Sequence, residues 1–380
     1  MTSILRDTFF TSDSSTTTSP ARSLPATPPN SLFYATSKFA TGYTVVVAMA
    51  FASFCHVTTG TATAQFDRVY TGDGQTITGA IQQTDVRGIQ LVRSGKPQTI
   101  PTTDIAKVLL EGDPSALTNG REAVVDGQFQ QAVDELAKLQ GETYKRPPIE
   151  AEADFYLAYA KGKLALAGNG SKDEAAQLTN AFVRKHPTSW HFIAAAELLG
   201  DLAVASGKPA DAKRYYASVA RAGSTDAKAR SLYLVATADA AAGDHDAAIA
   251  GLDRILGVSA DSTSLANIQL LAKIAKARSL AAGGDVDAAE SIVNATIAEM
   301  DPKNVAVAAR LFNTAGMIAQ TKGDDQAALF HYLKTHLIYS GEPQTHAEAL
   351  TALVSLWTKI GRADRSNETR VLLKQLYPGY

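Results

Sequence analysis

The chain has 380 residues, 45% hydrophobic and 19% charged, a composition that excludes disorder of the whole and leaves room for two or three ordinary domains. Its 36 Lys and Arg are matched by 38 Asp and Glu, a net charge of −2 with both signs mixed along the chain, which excludes the one-signed basic field of a nucleic-acid binder. Aromatics reach only 7% and alanine dominates the apolar residues, which suits closely approaching helices better than a β sandwich.

Residues 1–36 are rich in Ser, Thr and Pro, densest from Thr11 to Pro20 and Pro25 to Pro29, and bury too little apolar surface to order themselves, so they read as a disordered leader. Residues 37–64 have the layout of a secretion signal. Lys38 precedes the apolar run Tyr43 to Phe54, and small residues lead to Ala62-Thr63-Ala64, an A-x-A cleavage site. The run is about a dozen residues where a spanning helix needs roughly 20, so cleavage after Ala64 and export to the periplasm or cell envelope are expected. The alternative is a retained membrane anchor through residues 43–60. Cys55 is the only cysteine, and bulky Phe54 before it argues against lipidation. Cleavage would leave no disulfide or thiolate chemistry.

Residues 65–112 change texture. Short alternating runs (Phe66–Tyr70, Thr76–Ile81, Gly88–Val92, Ile100, Ile105–Leu110) are separated by Gly72-Asp73-Gly74 and Gly95-Lys96-Pro97, which predicts five short antiparallel strands. The Gly-containing second strand and the short turn before the last one make this module similar to SH3-like or Sm-like small β barrels. So small a unit is expected to lean on the helices that follow.

From residue 113 to 380 the pattern is helical and repetitive. Glycines recur at Gly127, Gly170, Gly207, Gly243, Gly284, Gly323 and Gly361, at spacings of 43, 37, 36, 41, 39 and 38 residues. Five residues after each stands a small residue (Ala132, Ala175, Ala212, Ala248, Ala289, Ala328, Ser366), where two helices could cross closely. Seven residues before five of them come Gly120, Gly200, Ala236, Ala277 and Gly316, and Pro187, Pro302 and Pro378 close second helices. This pattern resembles the tetratricopeptide repeat (TPR), with longer intervals than the family's usual 34. The predicted fold is therefore mainly α: an α-solenoid of about seven TPR-like helical hairpins preceded by the β module. Phe155, Leu199, Tyr216, Leu252, Leu271, Phe330, Leu353 and Trp357 are the expected stacking core.

The resemblance implies a concave groove lined by the first helices. Counting back from the loop glycines by the family's groove offsets brings up Arg230, Tyr233, Arg278, Arg310, Asn313, Met317 and Gln320 as candidate partner-binding residues. Glu197, Asp201 and Glu348 fall at the same offsets, so the groove is expected to be basic centrally and acidic toward its flanks, fitting an extended peptide or partner helix with an acidic middle.

No chemistry emerges elsewhere. His186/His191 and His331/His336 are five apart, off one helical face, which argues against a metal site. Asp244-His245-Asp246 reads as a helix cap and Asp324-Asp325 as a solubilising turn. Neither a nucleophile elbow nor a phosphate loop occurs. The sequence thus predicts a non-catalytic scaffold or adaptor without cofactor or metal, binding a protein or extended peptide, close to a membrane if the anchor is kept. Glycan or cell-wall binding by the β module, with the solenoid as spacer, is the alternative.

Overall fold

The computed structural model describes residues 66–380. The leader, the signal segment with Ala62 and Ala64, Cys55 and the possible anchor lie outside the described residues. Those described belong to one compact unit and include no helix long and apolar enough to cross a membrane.

Five antiparallel strands, β1 (Asp67–Thr71), β2 (Thr76–Asp85), β3 (Gly88–Arg93), β4 (Lys96–Pro101) and β5 (Ile105–Leu109), pair in the order β4-β3-β2-β1-β5. Strand β2 serves two partners: Thr76–Gly79 pair with β1, and Ala80–Asp85 with β3. Gly79 stands at this changeover, where a Cβ would strike the Leu91 side chain and the Val92 backbone. The β3–β4 turn is only Ser94-Gly95, both at positive φ (51° and 77°), so Lys96 and Pro97 belong to β4 and not to the turn. Pro97 is tolerated because β4 is an edge strand. Val69, Ile89, Leu91, Ile100 and Val108 form one core with Leu117, Leu136, Ile149, Phe155 and Trp190, so the module does lean on the first helices.

Fourteen helices follow as seven hairpins: α1 (Ser115–Val125) with α2 (Phe129–Ala137), α3 (Pro147–Leu166) with α4 (Lys172–Lys185), α5 (Phe192–Ala205) with α6 (Pro209–Ala217), α7 (Thr225–Ala241) with α8 (His245–Leu256), α9 (Thr263–Ala282) with α10 (Val286–Glu299), α11 (Val305–Thr321) with α12 (Asp325–Ile338), and α13 (Pro343–Lys359) with α14 (Ala363–Leu376). Six first helices end at the expected glycine. Each is left-handed, and the next residue's N–H closes on the carbonyl five back, as Gln128 does on Ala123 and Asp324 on Ala319. The second hairpin departs. There Gly168 takes the left-handed cap (φ 86°) and Asn169 closes on Leu164, while Gly170 stands two residues on, before the N-cap Ser171. This longer loop accounts for part of the long first interval. Ser224, Asp244, Ser262, Asp285, Asn304 and Asp324 cap helices the same way, each accepting an N–H three residues on. Asp325, beside one of these caps, pairs with Lys359 at 2.7 Å.

The small residues expected at the hairpin crossings, Ala132 through Ser366, are at most 2% exposed. On the first helices, a Cβ at Gly120, Gly200 or Gly316 would run into Leu136, Tyr216 or Tyr332 of the partner helix. Phe155, Leu199, Tyr216, Leu252 and Leu353 are buried, and Leu271 and Trp357 partly so. Phe330 is not core: it is 60% exposed, because α12 turns Ala328, Tyr332 and Thr335 inward and leaves Phe330 outside beneath the Lys334 ammonium, 4.7 Å from its ring. At the far end, Gly379 meets the α3–α4 loop so closely that a Cβ there would overlap the Gly168 backbone.

Candidate functional site

The first helices carry the candidate groove residues, and the structure divides them by what they touch. Arg230 on α7 donates two hydrogen bonds to Glu197 on α5, Nε to Oε1 and Nη2 to Oε2, both at 2.6 Å. That pairing outweighs burial and raises the guanidinium above its ordinary pKa. Arg278 on α9 reaches past α11 to Glu348 on α13, with Nη2 2.7 Å from Oε1. Asn313 is 1% exposed, and its amide donates to the Thr345 carbonyl (2.8 Å) and to the other Glu348 oxygen (3.2 Å), so it braces the acid and does not face a ligand. Gln320 accepts from the Tyr332 hydroxyl at 3.0 Å.

Asp201 likewise accepts from Tyr216 at 2.7 Å, and burial, only partly offset by that bond, holds its carboxyl above the usual range. The expected basic centre and acidic flanks are therefore corrected. Arg230 and Glu197 pair between adjacent hairpins, and Arg278 and Glu348 pair across an intervening one, so opposite charges neutralise one another. Arg310 is the exception: among the described residues its guanidinium has no carboxylate partner.

Three cavities open along this face. Tyr233, Arg278 and Arg310 line one of ≈ 270 Å³ with Gln344, Thr345 and Glu348. Arg278 and Met317 line a second of ≈ 340 Å³, walled by Ala236, Ala240, Ala241, Ala275 and Ala282. Arg230 lies in a third of ≈ 320 Å³ whose opposite wall is Thr102, Thr103 and Ile105 of the β module. The module thus closes over α5, α7 and the start of α9, where Ser264 and Ile268 line the same cavity, and contributes no residue to the two cavities that hold Arg278. Asn313 and Gln320 line none of the three.

A buried polar cluster at the module's junction escaped sequence reasoning. Arg121 is 0% exposed between Asp113 (Nη2 to Oδ2, 2.9 Å) and Glu152 (Nε to Oε2, 3.5 Å). Glu152 accepts from Trp190 Nε1 and pairs with His191 Nε2, each at 2.9 Å, and the His191 ring stacks on Phe155 with centroids 3.7 Å apart. Burial pushes the Glu152 carboxyl up, but His191 and Arg121 outweigh it and the net shift is downward. Burial also drives His191 down. The available signal was Glu152 itself, which lies on the apolar stripe of Ile149, Phe155 and Tyr156 where a carboxylate needs a buried partner.

No protein-family model matches the chain, and no curated protein matches it. Among solved structures, it is similar to a tetratricopeptide repeat protein from Parabacteroides merdae, with 16% identity over 70% of this chain and 92% of that one and a TM-score of 0.46. The apo form of the quorum sensor NprR from B. thuringiensis aligns at 14% identity over 70% and 76% of the two chains (TM-score 0.41). A Rap protein complexed with competence and sporulation factor aligns at 11% over 69% and 84% (TM-score 0.36). The likeness concerns the stacked-hairpin architecture and carries nothing about ligands.

Proposed function

We propose that the protein is an exported, non-catalytic scaffold that holds an extended segment of another protein in the α9–α13 part of its groove. The observation that carries this reading is Arg310. On a face where Arg230 and Arg278 are matched by carboxylates, it stands, among the described residues, without one and lines an open cavity that shares Thr237, Ala275 and Arg278 with a second. Cavities of this size take side chains, whereas a helix of about 10–12 Å diameter would need a wider trough. One core runs through the β module and α1 to α5, which makes the module a fixed wall and favours groove binding over glycan reading by residues 65–112. Export follows from the signal layout ending at Ala64, and intact mass of the envelope fraction tests it: an amino terminus other than Gln65 overturns cleavage there.

Binding is tested by a photo-crosslinking residue placed at Gln344, which is exposed and lines the same cavity as Arg310, or, as control, at Gln326, which is exposed on the second helix α12. A discrete adduct from position 344, mapping to a short stretch of one partner and missing from position 326, is expected. No adduct at 344, or the same adducts at both positions, refutes the groove.

A further inference from the structure

The cavity that Arg310 lines and the alanine-walled cavity share Thr237, Ala275 and Arg278, so they are compartments of one cleft. Their chemistry differs. The first is polar, and its acid is already engaged: Glu348 gives one oxygen to Arg278 and the other to Asn313. What remains unsatisfied there is the positive charge of Arg310, which calls for a ligand carboxylate. The second is walled by Ala236, Ala240, Ala241, Ala275 and Ala282, whose short side chains leave ≈ 340 Å³ open, with the thioether of Met317 as an adaptable surface. That space calls for a large apolar side chain.

An extended segment presents alternate side chains to one face at about 6.6–7 Å per pair, so two of them can enter compartments that share the wall of Thr237, Ala275 and Arg278. Resting on the groove reading above, we propose that the bound segment carries an acidic and a large apolar side chain two residues apart, the acid against Arg310 and the apolar group in the alanine-walled compartment. Arg278 and Glu348 form the partition between them and contribute no net charge.

Selection of random twelve-residue displayed peptides on the immobilised full-length protein tests this. Wild type is expected to enrich Asp or Glu two positions from Leu, Met or Phe. Arg310→Glu is expected to replace the acid by Lys or Arg at that position and to bind wild-type-selected peptides about tenfold more weakly. Ala240→Phe fills only the apolar compartment, so it is expected to erase the apolar preference while keeping the acid. Should Ala240→Phe fail to fold, Met317→Ala, which enlarges the same compartment, is expected to shift the apolar preference toward Trp. Enriched peptides without the acid, or an identical selection on Arg310→Glu or on the compartment variant, overturn this inference and leave the groove standing. No enrichment on any protein overturns the groove reading with it.

Discussion

Replacing Arg146 by Met removes the clamp between the β module and the solenoid. The guanidinium grips Asp67 with both Nη atoms, at 2.7 and 2.9 Å, and Asp67 is 4% exposed at the start of β1. Without it, the carboxylate keeps only the backbone N–H groups of Ile81 (2.9 Å) and Glu111 (2.8 Å). Breaking a fully buried ion pair costs ~3–5 kcal/mol. Because the Arg146 side chain is 31% exposed and partly screened, the expected loss is about 2 kcal/mol.

The effect has a pH signature. Burial pushes the Asp67 carboxyl up, but Arg146 and the two N–H groups outweigh it, and it titrates below the ordinary carboxylate range. A depressed carboxyl supplies stability that is present above its unfolded pKa of about 3.9 and lost as pH falls through the folded value. Wild type and variant should therefore differ most at neutral pH and converge in acid. Urea titration followed by Trp190 fluorescence, in a Trp357→Phe background, reads the junction directly because Trp190 belongs to the shared core. A loss below about 0.5 kcal/mol at pH 7, or one equally large at pH 3, refutes the clamp.

The other predictions concern packing and protonation. Gly200→Ala puts a methyl against the Tyr216 ring and is expected to lower stability by about 1–3 kcal/mol despite alanine's better helix propensity. Gly120→Ala meets only the branched end of Leu136 and should cost less; thermal unfolding that ranks the two the other way round contradicts ring contact as the cause. In the last hairpin, His346 bonds His336 Nδ1 through Nε2 and the Tyr377 hydroxyl through Nδ1, both at 2.8 Å. Burial, and then the neighbouring His336, push His346 down to about 4. Folding therefore opposes its protonation, and α13–α14 should lose hydrogen-exchange protection as pH falls from about 6.5 toward 4. His346→Gln should flatten that dependence, and an unchanged slope would assign it to other groups.

What the sequence discloses here is what local chemistry decides. A left-handed cap admits glycine almost alone, so Gly127, Gly207, Gly243, Gly284, Gly323 and Gly361 mark hairpin turns without reference to the rest of the fold. Gly170 misleads because two glycines lie in that loop and spacing cannot say which one caps α3. Phe330 misleads because its neighbour in the sequence does not reveal which way α12 faces once Ala328 and Tyr332 take the inner positions. The pairing of Arg278 with Glu348 was out of reach for a different reason. It joins residues two hairpins apart, and only the accumulated curvature of the stack brings them within 2.7 Å.

That curvature also decides what the groove can offer. A less curved stack would leave Arg230, Arg278, Glu197 and Glu348 as separate charges in water, each worth little against a screened partner. Bent as it is, the stack closes both pairs and braces one of them with Asn313, so four of the charges expected to recognise a ligand instead tie α5 to α7 and α9 to α13. The β module covers part of this face, across the cavity lined by Arg230 on α7 and by Ser264 and Ile268 on α9. On the proposed reading, recognition falls to what the pairing leaves over: one guanidinium and one alanine-walled compartment in a shared cleft, where a ligand would gain from pre-organised geometry more than from contact area.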